Sequence, residues 1–313
     1  MKFGVAVTTS VTPAVTAIAQ AEYVKRMAPV IEEEGYDSVW VSDRTVFPAD
    51  LPVRYPDMYG PGLANPDAQN VLEAMTTLSF VAGATKRLRL GLSVLVLPFR
   101  NPMLNAKMVT TLDVLSGGRV IYGVGVGWMP EEFDSMGASF PDRGALTDEH
   151  IEIFKASCAS DVPEYQGEHF ATSGMVFFPR PIQKPHPPIW IGGNTNAALR
   201  RTARLGDGWH GIRYTPEELV RKRQRLAQYC KDEGRDADSI EVSLRATVQI
   251  GDAQTGPDGS RVMLTGSECE ILDDLLRYEE AGLDYLVLSV AAHDTGATMD
   301  AVRQFAQNIA AKL

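Results

Sequence analysis

Cysteine and histidine are scarce in this chain of 313 residues, and their scarcity removes several classes of chemistry. Cys158, Cys230 and Cys269 lie far apart and show no C-x-x-C spacing, so neither a disulfide framework nor a zinc site is offered. Of the five histidines, His150, His169, His186, His210 and His293, no two have metal-ligand spacing, and no metal is expected. A G-x-S-x-G turn is absent and no cysteine accompanies a histidine at a strand end, so a nucleophilic mechanism lacks its parts. No apolar run approaches the roughly 20 residues of a membrane span. Basic charge is also short: the formal net charge is −10, which opposes the basic face that phosphate contacts with nucleic acid demand. The first strand begins within two residues of Met1, leaving no room for a secretory signal, and a cytoplasmic location is expected.

What is present is alternation. Apolar strand-like runs are expected at Phe3 to Thr8, Ser38 to Ser42, Leu88 to Leu97, Arg119 to Gly125, Pro188 to Gly192, Gly208 to Ile212, Ile240 to Ile250 and Tyr285 to Val290. Helical stretches fall between them, at Thr12 to Glu34, Asn70 to Thr85, Pro102 to Leu115, Arg143 to Ala159, Asn196 to Leu205, Thr215 to Glu233, Glu268 to Ala281 and Thr298 to Lys312. Eight such βα units predict a single-domain (β/α)8 TIM barrel over residues 1 to 313, with no interdomain linker. Gly35, Gly117, Gly206, Gly234 and Gly282 suit left-handed helix caps. Arg44 to Gln69 is too long for an ordinary βα connection, and at the C-terminal rim of a barrel it would shape a substrate pocket. Asp161 to Pro187 is expected to form a small hairpin with an extended return.

Within PPIWIGGNTNAALRRTARLGDGWHGI, Pro187 to Ile212, the pattern is strand, glycine turn, helix and strand, with Asn194 or Thr195 as the helix cap. Gly192 and Gly193 either let a phosphate approach the backbone beside a helix N-terminus or simply fit a tight connection. RVIYGVGVGW, Arg119 to Trp128, departs from the dinucleotide fingerprint because Trp128, Met129 and Pro130 follow where a helix should open. Gly123, Gly125 and Gly127 admit a flat ring or diphosphate, or else relieve a crowded barrel interior. Asp43 ends strand two, where it can accept a hydrogen bond from a ring N–H, take part in proton transfer, cap the loop or pair with Arg44. A bulge is possible at Ser93 and Val94. His210 is the one histidine at a barrel site, in a structural hydrogen bond. With acid–base and metal signals this thin, an organic cofactor carries the reaction.

The chain resembles the luciferase-like monooxygenase superfamily, and within it the oxidoreductases that use the deazaflavin coenzyme F420. The resemblance runs nearly end to end and rests on VWVSD (39 to 43), LGLSVLVLPFRNP (90 to 102), LDVLSGGRV (112 to 120), GVGVGWMPEEF (123 to 133), RGALTDE (143 to 149), GEHF (167 to 170), PRPIQKPHPPIWIGG (179 to 193) and ARLGDGWH (203 to 210). It implies a bacterial luciferase-like barrel with long loops at the C-terminal face and the cofactor ring across its mouth. It further implies a non-prolyl cis peptide at Ser93 and Val94 behind the ring, and Asp43 near the pyrimidine side as the catalytic candidate. Ring contacts then come from Gly125, Val126 and Gly127, and the phosphate cradle from Gly192, Gly193, Asn194 and Thr195. Arg143 and Trp209 are further cofactor contacts by the same resemblance. Arg44 departs from the members that carry a histidine after the aspartate, which leaves the proton donor unassigned. The function implied is hydride transfer between F420 and a small organic substrate. The alternative is an FMN-dependent two-component monooxygenase that uses reduced flavin and O2. A homodimer is expected, with a separate flavin or F420 reductase as a possible partner.

Overall fold

The computed structural model describes residues 1 to 7, 17 to 56, 70 to 290 and 294 to 313. Eight strand positions close into a parallel barrel. In chain order these are β1 (Lys2–Ala6), β2 (Ser38–Val41), a third strand broken into β3 (Arg89–Leu92) and β4 (Leu95–Val96), and β5 (Val120–Gly125). After the antiparallel hairpin of β6 (Tyr165–Gln166) and β7 (Ala171–Thr172) come β8 (Ile189–Gly192), β9 (Gly208–Ile212), β10 (Glu241–Ile250), the short β11 (Thr265–Gly266) and β12 (Tyr285–Val290). β1 pairs with β12, and β9 with β10, so the described barrel has no open seam.

The helices between the strands are α1 (Ala17–Glu33), the one-turn α2 (Leu51–Arg54), α3 (Ala74–Ala84), α4 (Pro102–Ser116), α5 (Pro130–Met136), α6 (Arg143–Ala159), α7 (Asn196–Leu205), α8 (Pro216–Asp232), α9 (Glu268–Glu280) and α10 (Thr295–Gln304). Beyond α10 the chain widens into a π-helical turn over Phe305–Ile309 and tightens over Ala310–Lys312. Among the described residues no helix is long and apolar enough to cross a membrane. The start of the first expected helix, residues 57 to 69 of the long loop, and His293 lie outside the described residues.

Two apolar layers hold this arrangement. The larger lies between strands and helices, while a small inner cluster of Ala6, Trp40, Ile121, Trp190, Tyr285 and Val287 fills the barrel. The inner aromatics need small neighbours: a Cβ on Gly91 would stand 2.3 Å from the Trp40 ring, and one on Gly208 would stand 2.6 Å from Trp190. This pairing of large with small side chains across adjacent strands is how a narrow barrel becomes a packed core.

Two expectations need correction. Gly206 is not a left-handed cap: its φ is −93°, and the chain leaves α7 extended into β9. Close packing is what requires a small residue there, since a Cβ would meet Ile191 at 2.8 Å. Helix α5 is an addition: no helix is expected directly after Trp128 and Met129, yet Pro130 sits at a first helical position, where proline's missing N–H costs nothing.

Candidate active site

The broken third strand sets the site. From Gly91 opposite Ile121 to Leu95 opposite Val124, it advances four residues against three on β5, which is a bulge. The Ser93–Val94 peptide inside it is cis. Val94 faces a cavity of about 920 Å³ at the C-terminal ends of the strands, and its two methyl groups lie over Gly125 and Gly192. A Cβ on either glycine would come within 2.4 to 2.5 Å of Val94. Crowding and access to a ring are therefore joined at these glycines, because they admit the valine that forms the cavity wall.

Below Val94 the floor is polar. Ser93 Oγ is hydrogen-bonded to His210 Nε2 at 2.8 Å, and His210 Nδ1 to Ser243 Oγ at 2.8 Å. The imidazole stacks on Trp40 with 5.0 Å between ring centroids. Burial, with Arg245 adding to it, lowers the His210 pKa to about 3, so at neutral pH it is an orienting group and not a charged acid. Arg245 crosses the floor, donating to Ser289 Oγ at 2.9 Å, to Ser42 Oγ at 2.7 Å and to Ser93 Oγ at 3.2 Å.

A pH dependence follows from the histidines. Burial also lowers His150, to about 4. A histidine unfolds to a pKa near 6.5, so between that value and its folded pKa the unfolded state binds more protons, and stability falls as pH falls. Lowering the pH from 7 to 5 should cost about 2 kcal/mol for each such histidine. Urea unfolding at both pH values should show a shallower fall for His210→Gln than for the unaltered chain, and equal slopes would contradict the neutral assignment.

On the β2 side, both Asp43 oxygens are committed. Oδ2 accepts from the Val96 N–H at 2.9 Å and Arg100 Nη1 at 2.6 Å, and Oδ1 accepts from Arg100 Nη2 at 2.8 Å. The pairing of Asp43 with Arg44, one of the alternatives its position offers, is not formed. Arg44 instead reaches Glu132 on α5 and lies between the rings of Phe47 and Trp128, at 5.1 and 5.2 Å. Glu132 also accepts from the Thr45 N–H at 2.7 Å. Burial pushes its carboxyl up, against the pull of Arg44. Tyr55 and Arg54 bond Glu131 at 2.8 and 3.0 Å, so the described part of the long loop is strapped to α5.

On the opposite flank, α6 and α7 bring Arg143, Gly144, Thr195 and Ala197 to the cavity. First-turn N–H groups of a helix have no intrahelical acceptor and carry partial positive charge, so this corner suits a phosphate. The glycine pair contributes less than its sequence suggests. The Gly193 N–H is spent on His210 O at 3.2 Å because strand pairing continues one residue past β8, and its φ of +125° is what demands glycine. Thr195 caps α7 by accepting from the Ala198 N–H at 3.2 Å.

The cavity thus brings together Asp43, Ser93, Val94, Gly125, Val126, Gly127, Arg143, Gly192, Gly193 and Thr195. Asn194 and Trp209 stand behind it. Asn194 clasps the Ile212 backbone through both ends of its amide, at 2.9 and 3.0 Å, while buried Trp209 donates to Gly193 O at 2.9 Å. Arg245 and Glu132 line the cavity and were not among the expected residues, and Arg201 lines it beside the phosphate corner. Ser243 and Arg245 share the inward face of β10 at period two, a signal readable in the sequence.

The sequence pattern of the family described as luciferase-like monooxygenase matches residues 1 to 255. An F420-dependent glucose-6-phosphate dehydrogenase of Amycolatopsis mediterranei is 30% identical over 223 residues, 68% of this chain and 62% of the relative. An FMNH2-dependent dimethylsulfone monooxygenase of Pseudomonas putida is 27% identical over 192 residues, 60% of this chain and 48% of the relative. Among solved structures, the monooxygenase RslO1 of Streptomyces bottropensis superposes with a TM-score of 0.79 over 100% of this chain and 99% of its own, at 21% identity, a likeness of fold.

Proposed function

The chain belongs to the luciferase-like monooxygenase family, whose relatives include F420-dependent and FMN-dependent enzymes, and on that footing we propose that it is an F420-dependent oxidoreductase. The observation that carries this choice is a second cleft of about 500 Å³ next to the phosphate corner, sharing Ala197 and Arg201 with the main cavity. Arg200, Arg201 and Arg204 line it together with Asp148, Asp232 and Glu233. Asp148 is occupied by Arg201 and Arg204, whereas Arg200 lies over the Tyr229 ring at 5.0 Å and pairs with no carboxylate among the described residues. FMN ends at its phosphate, while F420 continues into an anionic tail that such a cleft would receive.

The residues fit the group. Val94 gives a flat apolar backstop, and the first turns of α6 and α7 give donors for a phosphate. When bound, the deazaflavin supplies the carbon that gives or takes a hydride. The chain's part is to hold the ring against Val94, exclude water with Phe47 and Trp128, and keep the strand edge at Val96 in place through Asp43 and Arg100. Asp43 serves here as a positioning residue. We include a homodimer in the proposal. The FMN reading, with its separate reductase, is favoured by one observation, that Arg44 stands where part of the F420 group has histidine.

Calorimetric titration with each cofactor tests the choice. F420 is expected to bind more tightly than FMN, and micromolar FMN affinity with no F420 binding would overturn it.

A further inference from the structure

Arg245 lines the cavity floor with a specific demand unmet among the described residues. Its backbone is fixed in the barrel on both sides, opposite Ile212 on β9 and Val287 on β12. A guanidinium has five N–H donors in a planar fork. Nε is used by Ser289, and Nη1 by Ser42 and Ser93, which leaves Nη2 without an acceptor among the described residues. The protein partners are three neutral hydroxyls and the Ser93 carbonyl oxygen, which accepts from Nη1 at 3.4 Å, and none carries a charge. The two carboxylates lining the same cavity, Asp43 and Glu132, are already held by Arg100 and Arg44. Arg213, the next charged neighbour, is itself a cation, and its N–H is bonded to Arg245 O at 3.1 Å. Burial and Arg213 lower the Arg245 pKa to about 10, which leaves it charged at neutral pH. His210 beside it is neutral. The floor therefore carries a positive charge with a free, rigidly placed edge and no counter-charge from the described chain.

We propose that Arg245 forms an oxyanion site on the cavity floor that takes the carboxylate of the substrate, so that the substrate class is a small organic acid. A carboxylate facing the Nη1–Nη2 edge would supply both the missing charge and the missing acceptor, in the fork geometry that arginine offers. The serines hold the fork in one orientation before the ligand arrives. Arg143 also lacks a carboxylate partner among the described residues, but it belongs to the first turn of α6 beside the phosphate corner and lies over Phe140 at 3.9 Å. This inference rests on reading the cavity as the reaction chamber, yet its first test needs no cofactor.

Benzoate and benzamide share a shape and differ in charge. Titrated into the cofactor-free protein, benzoate should raise the melting temperature saturably and benzamide should not. Arg245→Met should weaken benzoate by at least about tenfold, the loss expected for a charge-assisted contact. Arg245→Lys should keep part of the affinity, and Arg143→Met should leave it unchanged. Equal binding of the two probes, or benzoate binding that survives Arg245→Met or is lost in Arg143→Met, would overturn the site. If Arg245→Met fails to fold, the two-probe comparison and Arg245→Lys still decide. The oxyanion could instead come from the ring of a reduced cofactor. In that case Arg245→Met would lower the affinity for reduced F420 or FMN relative to the oxidised form while sparing benzoate, which would overturn the substrate assignment. Failure of F420 to bind would overturn the cofactor choice and leave the benzoate result standing.

Discussion

Gly123→Ala should prevent the barrel from folding, while Gly125→Ala, two residues along the same strand, should leave it folded and unable to hold its cofactor. The difference lies in what each new methyl meets. At Gly123 it would stand 1.7 Å from the Leu92 carbonyl oxygen, which is backbone at the start of the bulge and cannot step aside. Overpacking costs about 1–3 kcal/mol where side chains can adjust and more where they cannot, so a loss above about 3 kcal/mol is expected. At Gly125 the methyl meets Val94 Cγ2 at 2.4 Å, a side chain that can turn. Turning moves a valine methyl into the cavity where a flat ring would lie. Thermal melts should therefore report collapse for Gly123→Ala and a modest loss for Gly125→Ala, with cofactor affinity in the latter down by more than about tenfold. Trimming Val94 to alanine in the Gly125→Ala background should restore binding, since the two side chains compete for one space. Cofactor binding unchanged in Gly125→Ala would remove Val94 as the backstop.

Asp43→Asn should act first on stability and only through it on the site. The Asp43 side chain is 1% exposed and that of Arg100 is 14% exposed, so the amide would leave a guanidinium facing an NH2 group with little water to help. Removing one partner of a buried pair costs about 3–5 kcal/mol, and the lower figure is expected because Arg100 also reaches Glu73 at 3.2 Å. The Val96 N–H would lose its carboxylate acceptor as well, which loosens the strand edge beside the cavity. Urea unfolding checks the first effect and cofactor titration the second. Full stability combined with a turnover loss of roughly 10²- to 10⁴-fold would instead return Asp43 to proton transfer.

Much of the barrel was legible because its signals are local. The strand at Gly208–Ile212 and the helices at Arg143–Ala159 and Asn196–Leu205 stand where alternation and capping place them. The cis peptide at Ser93 and Val94 came only from family resemblance, since a bulge leaves no mark in composition. Long-range pairing was not legible at all. Asp43 has Arg44 next to it in sequence, yet its partner is Arg100, brought close by the turn that follows β4. Arg44, freed from that pairing, closes the described loop onto α5, itself hidden behind Pro130. The glycine pair at Gly192 and Gly193 was half legible: two glycines are required, but Val94, two strand positions away, and a positive φ at Gly193 require them before any phosphate does.

A crystal structure of the protein with oxidised F420 tests the central claim most directly. The deazaflavin ring should lie against Val94, with its phosphate at the first turns of Arg143–Ala159 and Asn196–Leu205 and its tail along Arg200. A ring bound away from Val94, or a phosphate placed outside the corner formed by Arg143, Gly144, Thr195 and Ala197, would contradict it.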